Sequence, residues 1–222
     1  MSVLHDEGCD AWMETASGRK ILLGRPPDPA EIDLEDIAHS LSRQCRFAGH
    51  TLGHYSVAEH SVLVSFAAPA FVALEALMHD AHEAYIGDIT SPVKAALRGL
   101  DDGIVFSLGA LEDRMEAAVR ERFGLTVDHN AEVAIKAADM KALAAERAAM
   151  LPRTGRHDWR VPYVWPEGVP RPLLGIPAHD ARNLFVCRYY EAATGRGCRC
   201  DLPAHDELRD LGDRLALMRP GR

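Results

Sequence analysis

The chain has 222 residues, is 47% hydrophobic, and carries 25 lysines and arginines against 33 aspartates and glutamates, for a formal net charge of -8. This length and composition can form a substantial core in one domain, with or without an appendage. The acidic balance argues against a protein that coats duplex nucleic acid or binds membranes through basic clusters. No run of about 18 apolar residues is present, and residues 1–10 lack the basic and apolar regions of a signal peptide. We therefore expect a soluble, cytoplasmic protein.

The five cysteines are odd in number and scattered along the chain, at Cys9, Cys45, Cys187, Cys198 and Cys200. This pattern favours a reducing compartment over a disulfide framework. A zinc site built from the last three would lack a fourth ligand and a paired spacing. We therefore expect free thiols near the carboxyl terminus.

The first part of the chain changes from an irregular to a helical pattern at Asp33. Glycine and proline interrupt residues 1–32, which we interpret as an irregular N-terminal segment with one short strand at 21–23. From Asp33 apolar residues recur with a period near 3.6, which predicts a first helix that ends near Gln44. Ser56 and Glu59 have the spacing of a capping box and predict a second helix that reaches about Ala68.

The rest of the chain also has helical periodicity, which predicts an all-α fold. Further helices are expected at about 70–85, 101–123, 128–151, 178–193 and 204–217, with a short one after Pro92. Residues 152–178 contain six prolines and predict an extended wrap over the surface. We divide the chain into the irregular segment 1–32, a catalytic core at 33–151, and a Pro-rich wrap with C-terminal helices packed on the core at 152–222.

Asp139 is the most informative position for function. It lies on the helix face that Ile135, Ala138 and Ala142 mark as buried. A carboxylate is rarely buried unless it is paired with a cation or bound to a metal. For this residue alone, a structural ion pair is the simpler interpretation.

Three further polar residues interrupt apolar helix faces. His60 alone would be interpreted as a core histidine, and His79 and Asp80 end an apolar helix. Together with Asp139 they supply two imidazole nitrogens and two carboxylate oxygens from three predicted helices, enough for one divalent cation with positions left for water and substrate. One ion explains all four, so we expect one metal. This thiolate-free ligation favours manganese or cobalt and is compatible with iron, nickel or zinc.

Two carboxylates follow the His79-Asp80 pair. Glu83 is predicted one turn beyond His79 on the same side of the helix, where it would accept a proton from water. Asp88 is predicted just past the helix end, where it would assist as acid or base or orient the substrate. The alternative is ordinary solvated charge, although negative charge at a helix C-terminus opposes the helix dipole. The loop that starts at Ile89 leads into a helix whose free amides favour phosphate.

Four segments, Val57–Ser61, His79–Glu83, Gly87–Lys94 and Lys136–Asp139, resemble the HD-domain phosphohydrolases, with the bacterial 5'-deoxynucleotidases as the most similar branch. The similarity runs from about residue 43 to residue 151. It implies an HD-domain helical bundle in which the metal ligands are His60, His79, Asp80 and Asp139.

The resemblance also implies roles for residues around the metal. Glu83 would be a catalytic carboxylate, and Arg46 would orient the phosphate. The substrate-contacting loop would consist of Asp88, Ile89, Thr90 and Ser91. Phe47 follows the arginine where the deoxynucleotidases place a tryptophan, a departure that bears on sugar discrimination. His50 and His54 are additional candidates for contact with phosphate or base.

We therefore expect a homodimeric, metal-dependent phosphohydrolase that removes the 5'-phosphate of (deoxy)nucleoside monophosphates. A first alternative is a deoxynucleoside triphosphate triphosphohydrolase that uses the same residues. A second is a non-catalytic nucleotide-sensing HD module. A cyclic-dinucleotide phosphodiesterase is disfavoured because no Gly-Tyr-Pro motif follows the His79-Asp80 pair.

Overall fold

The computed structural model describes residues 11–152 and 175–196. Within these ranges the chain forms eight α-helices and one two-stranded antiparallel sheet, which confirms a mostly helical fold. The strands are β1 (Trp12–Glu14) and β2 (Lys20–Leu22). The helices are α1 (Leu34–Leu41), α2 (Val57–Ala67), α3 (Ala73–Leu77), α4 (Glu83–Ile86), α5 (Ser91–Leu100), α6 (Asp102–Phe123), α7 (His129–Met150) and α8 (Ala178–Thr194). Short 3-10 turns lie at Pro29–Glu31, Arg46–Gly49 and Ala70–Val72.

The predicted helix starts are confirmed by their caps. The Asp33 side chain accepts from the amide of Glu35 at the start of α1. Ser56 and Glu59 form the predicted capping box at the start of α2. Helix α1 ends at Leu41, three residues before the predicted end, and the chain then turns towards α2.

The predicted helix at 70–85 is wrong as a single element. It is divided into a 3-10 turn, α3, a run of turns over residues 78–82, and α4. In this stretch the amides of Glu83 and Tyr85 bond to carbonyls three residues earlier, at Asp80 and His82. Such bonds are tighter than those of an α-helix. His79 and Asp80 therefore lie in a turn, and the cluster is built from two helices and this turn.

The core has two parts that together position α2. In the larger part, β2 and α1 pack with α2, α3, α4, α6 and α8. In the smaller part, α2 and α3 pack against α7 through buried alanines at 138, 142 and 145. Because alanine side chains are short, α7 approaches α2 closely, and polar side chains on their facing sides can meet.

The N-terminal segment forms a hairpin of two strands where one strand was expected, and one buried carboxylate ties it to the helices. Asp36 of α1 accepts hydrogen bonds from the Thr15 hydroxyl and from the amide and hydroxyl of Ser17. These two residues belong to the turn between β1 and β2. The hairpin is thereby fixed to α1.

The cysteines differ in state. Cys45 is free and exposed, whereas Cys187 is disulfide-bonded. The expectation of free thiols is therefore wrong for Cys187, because spacing along the chain does not report which thiols approach in space. Cys9, Cys198 and Cys200 lie outside the described residues.

Other predictions also fall partly or wholly outside those ranges. The Pro-rich wrap is described only at its two ends, and the helix at 204–217 is not described. Among the described helices, none combines the length and apolar character that crossing a membrane requires.

Candidate metal centre

Four side chains, His60, His79, Asp80 and Asp139, converge at one place, and we call them the His–Asp cluster. Ligand atoms of His60, His79 and Asp139 all lie within 4.8 Å of one another. Asp80 Oδ2 lies 3.1 Å from His79 Nε2 and 3.5 Å from His60 Nε2. Asp139 Oδ1 also lies 3.5 Å from His60 Nε2. The structure therefore brings together all four residues that the sequence predicts as ligands.

The spacing within the His–Asp cluster fits a shared cation. Two atoms that bind one ion at about 2.1 Å lie about 3.0 Å apart at a right angle and about 3.4 Å apart at the tetrahedral angle. Three nitrogen–oxygen distances in the cluster are 3.1 to 3.5 Å, and the ligand atoms of His60, His79 and Asp139 lie within 4.8 Å of one another. Both imidazoles and both carboxylates are thus close enough for one ion.

The two histidines present the correct nitrogen to such an ion. His60 Nδ1 donates to Glu146 Oε1 at 2.6 Å, and His79 Nδ1 donates to the carbonyl of Ala76 at 2.8 Å. With Nδ1 used as a donor, neutral imidazole keeps a lone pair on Nε2. His60 Nε2 is buried without a hydrogen-bond partner and faces two carboxylate oxygens. A cation between these atoms would satisfy all of them.

Asp80 and Asp139 are held differently. The Asp80 side chain is 17% exposed. Burial raises its pKa, but His79, His60 and Arg46 outweigh burial and hold the pKa well below its usual range. Asp139 Oδ2 accepts from the ammonium of Lys136 at 2.7 Å, and Asp139 Oδ1 lies 3.5 Å from His60 Nε2. Both carboxylates are therefore available as anionic ligands.

Glu146 is a residue of this site that the sequence interpretation missed. It is fully buried on α7, seven residues after Asp139, and so lies on the same face of the helix. Besides His60, it accepts from the Tyr55 hydroxyl at 3.0 Å and contacts Arg46 at 3.4 Å. Burial raises the pKa of Glu146, but His60 and Arg46 outweigh it and lower the pKa to about 2. The seven-residue spacing from Asp139 is the sequence feature that could have placed Glu146 on the same side of the helix as Asp139.

Arg46 lies beside the His–Asp cluster at the base of a closed loop. Its amide donates to the carbonyl of Tyr55, so residues 46 and 55 are joined. Burial lowers the pKa of Arg46, but Glu146, Asp80 and Asp88 together raise it above its usual range. The guanidinium Nε is buried without a hydrogen-bond partner. The Arg46 guanidinium thus lies beside the cluster with its Nε–H group free to donate a hydrogen bond.

The turn after Arg46 is strained. Phe47 and Ala48 have φ values of 54° and 50°, and Gly49 follows with 80°. Left-handed backbone is costly for residues other than glycine, and such strain is typical of functional sites. The Arg46 guanidinium carbon lies 5.4 Å from the centre of the Phe47 ring. Phe47 therefore contacts the arginine, while His50 and His54 are exposed farther along the loop.

Glu83 and Asp88 lie near the cluster as predicted, although Glu83 begins α4 and does not continue α3. Glu83 is 8% exposed, and its Oε2 has no hydrogen-bond partner. Burial, followed by repulsion from Asp80 and Asp88, raises its pKa to about 9. Burial also raises the pKa of Asp88, whereas Arg46 opposes the shift. The carboxyl groups of 80, 83 and 88 therefore interact electrostatically.

Gln44, which the sequence interpretation did not single out, fixes the position of these two acids. Its Nε2 donates to the Glu83 carbonyl at 2.9 Å and to the Ser40 hydroxyl at 3.0 Å. Its Oε1 accepts from the Asp88 amide at 3.0 Å. One amide side chain thereby holds both ends of the segment 83–88 against the end of α1.

The predicted phosphate loop lies at the start of α5. Thr90 is the N-cap of this helix and makes no side-chain capping bond. Ile89 and Thr90 are half-buried, and Ser91 is exposed. Within the described residues, their side chains make no hydrogen bond to the His–Asp cluster. The structure thus places these residues at the start of α5, directly after Asp88.

A cleft of about 370 Å³ opens beside the cluster between α3, α6 and α7. His79, Asp80 and Asp139 line it, together with Lys136. Apolar side chains form another part of its wall, from Val119, Leu125, Val127 and Ile135. Ligand pockets usually measure about 300–1,000 Å³. The cleft is therefore large enough for one small molecule of mixed polarity that reaches the cluster.

Comparison with known proteins gives relatives but no activity. No family model matches the chain. The uncharacterized protein YfdR of Escherichia coli is 38% identical over 194 residues, which cover 85% of this chain and 99% of YfdR. An uncharacterized protein of Rhodobacter capsulatus is 44% identical over 152 residues, which cover 63% of this chain and 74% of that protein. The chain therefore belongs to the same protein family as YfdR of Escherichia coli.

Proposed function

We propose that the chain is a metal-dependent phosphohydrolase of the HD-domain type that removes the 5'-phosphate of a (deoxy)nucleoside monophosphate. The observation that carries the proposal is His60 Nε2, a buried nitrogen without a hydrogen-bond partner that faces Asp80 and Asp139. A purely structural cluster would place a donor between these acceptors. The donor set of two imidazoles and two carboxylates suits manganese or cobalt.

A divalent cation bound at the cluster supplies Lewis-acid polarisation of water and of a phosphoryl group. The groups of the chain perform the remaining tasks. Arg46 presents a planar fork of donors to the phosphate oxygens, a geometry that favours arginine over lysine. At the start of α5, Pro92 has no amide hydrogen and the amides of Val93 and Lys94 donate to the Thr90 carbonyl, so the Ser91 amide is the donor that could face an anion.

Glu83 is the proton-transfer group in this proposal. Its Oε2 has no hydrogen-bond partner and is available to a water molecule. A pKa of about 9 keeps the carboxyl protonated at neutral pH in the metal-free chain. With a dication held by the cluster, the pKa of Glu83 would be lower, and the ionised Oε2 would accept a proton from the attacking water. The negative charge of Asp88 acts in the opposite direction, because it raises the pKa of Glu83.

The cleft supports a substrate of the size of one nucleotide. Its volume of about 370 Å³ is near the small end of ligand pockets. Its apolar wall suits a base or sugar, and the His–Asp cluster at its side suits the phosphate. The water oxygen would bond to phosphorus as the bond from phosphorus to the 5'-oxygen breaks, Glu83 would pass its proton to that 5'-oxygen, and the nucleoside would leave through the cleft.

The proposal is tested by phosphate release. The purified chain is incubated with manganese or cobalt and with matched nucleoside mono- and triphosphates, and orthophosphate is scored against tripolyphosphate. We expect orthophosphate from monophosphates. Tripolyphosphate as the product would instead identify a triphosphohydrolase, and tight nucleotide binding without product over hours would identify a sensing module.

Variants connect the activity to the site. Asp80→Ala and Glu83→Ala are expected to abolish turnover while the helical circular-dichroism signal persists. Asp113→Ala, on the exposed side of α6, is the matched control and should retain activity. Full activity in Asp80→Ala would remove the cluster from the reaction, and full activity in Glu83→Ala would remove that carboxyl from proton transfer.

A further inference from the structure

Glu146 joins two parts of the site that otherwise have separate tasks. Its Oε1 accepts from His60 Nδ1 at 2.6 Å and from the Tyr55 hydroxyl at 3.0 Å, and its Oε2 lies 3.4 Å from Arg46 Nη2. The carboxylate is fully buried, so water does not substitute for these contacts. A buried carboxylate with three donors is satisfied only while all three side chains keep their places.

We propose that Glu146 is a positioning residue that orients His60 for metal binding and Arg46 for phosphate binding, so that both binding events depend on one carboxylate. The inference rests on the proposed function for the identity of the ligands. Glu146 itself does not line the cleft and does not touch the reacting groups. It acts through the two residues that it holds.

The contact with His60 determines which nitrogen faces the cluster. Because a carboxylate only accepts, His60 Nδ1 keeps its proton, and the lone pair lies on Nε2. The contact also fixes the ring plane, and negative charge behind an imidazole strengthens it as a ligand. Tyr55, 1% exposed, holds the same carboxylate oxygen from another direction.

The contact with Arg46 keeps a buried cation in place. The bond from the Arg46 amide to the Tyr55 carbonyl fixes the backbone at this point but not the direction of the side chain. Glu146 Oε2 supplies the counter-charge within hydrogen-bond reach of Nη2, while Nε has no hydrogen-bond partner. Removing the charge of Glu146 would release the guanidinium from this position.

The test uses Glu146→Gln in the full chain and measures binding, not turnover. Cobalt is titrated by calorimetry into metal-free protein, and inorganic phosphate is then titrated into the cobalt-saturated protein. We expect cobalt affinity to fall by about 10- to 100-fold, the range for lost partners of metal ligands. We expect the phosphate affinity of Glu146→Gln to fall to that of Arg46→Ala. A double variant with both substitutions should bind phosphate no more weakly than either single variant.

Two variants separate positioning from general damage. Asp36→Asn changes another buried carboxyl, on α1, whose hydrogen-bond partners Thr15 and Ser17 belong to the hairpin turn away from the cluster, so cobalt affinity should remain unchanged. Tyr55→Phe removes one of the three donors to Glu146, and a smaller loss of about two- to tenfold is expected. Circular dichroism confirms that each variant is folded.

The outcomes distinguish this inference from the proposed function. If the wild-type chain binds cobalt and Glu146→Gln binds it equally well, Glu146 is not a positioning residue, while the hydrolase proposal stands. If the wild-type chain does not bind cobalt, both fail. Should Glu146→Gln not fold, nitrogen-15 spectra of the wild-type histidines decide. A proton on His60 Nδ1 supports the inference, and a neutral ring with its proton on Nε2 overturns it.

Discussion

Glutamine in place of Glu83 is expected to stabilise the metal-free protein, although the proposed reaction requires the carboxyl. The Glu83 carboxyl is 8% exposed, and burial together with Asp80 and Asp88 raises its pKa to about 9. In the unfolded chain a glutamate has a pKa of about 4.3. Between these two values the folded protein holds a proton that the unfolded chain has lost, so folding becomes less favourable as the pH rises.

The free-energy cost of Glu83 depends on how far the pH of the experiment lies above the pKa of glutamate in the unfolded chain. Each pH unit corresponds to about 1.4 kcal/mol, so the cost of Glu83 is about 1 kcal/mol at pH 5 and about 3 to 4 kcal/mol at pH 7. Glutamine carries no charge in either state and avoids this cost. Glu83→Gln should therefore be more stable than the wild type by about 3 to 4 kcal/mol at pH 7 and by only about 1 kcal/mol at pH 5.

The assay is urea unfolding in the presence of a chelator, monitored by circular dichroism at pH 5 and at pH 7. Glu121→Gln, on the exposed side of α6, removes one negative charge at the surface and serves as the control. An equal stability difference at pH 5 and pH 7, or a less stable Glu83→Gln at pH 7, would refute the argument. Loss of phosphate release in the same variant would show that stability and activity conflict at this position.

Three further predictions concern other parts of the chain. Ala48→Gly should raise the free energy of unfolding by about 1 kcal/mol, because Ala48 has a φ of 50°; an unchanged urea midpoint would contradict strain in this turn. Asp36→Ala should lower the free energy of unfolding by about 2 kcal/mol, because it removes the acceptor for Thr15 and Ser17; a thermal midpoint equal to that of the wild type would count against this role. Manganese at about 100 times its dissociation constant should add about 2.7 kcal/mol to the wild type. Most of this gain should be lost in Asp139→Asn, and an equal gain in both proteins would argue that Asp139 is not a ligand.

Helices and their starts were predictable because local rules determine them. The capping box at Ser56 and Glu59 satisfies helix amides within three residues, so the sequence alone contains the interaction. The break after Leu77 was not predictable in this way. The apolar residues before it suit a continuous helix, and the turns that replace it depend on bonds to a distant element, such as those from Gln44 to Glu83 and Asp88.

The sequence predicted the four residues of the His–Asp cluster, and it missed Glu146, which supports them; that the four bind a metal stays a prediction. His60, His79, Asp80 and Asp139 are polar residues in apolar surroundings, which is a signal that a single sequence carries. Glu146 lies beside an arginine near the end of a helix, where charged residues are usually solvated. Its partners His60 and Arg46 are 86 and 100 residues away, so only the fold reveals the contact. The homodimer remains a prediction.

Helix α7 carries both Asp139 and Glu146, and this fixes a register for the whole centre. Adjacent residues of an α-helix are rotated by about 100°, whereas seven residues return to nearly the same side. Inserting one residue between the two acids would therefore turn one of them away and leave either the cluster or His60 without its carboxylate. Family members with insertions or deletions in α7 should thus carry them outside residues 139–146.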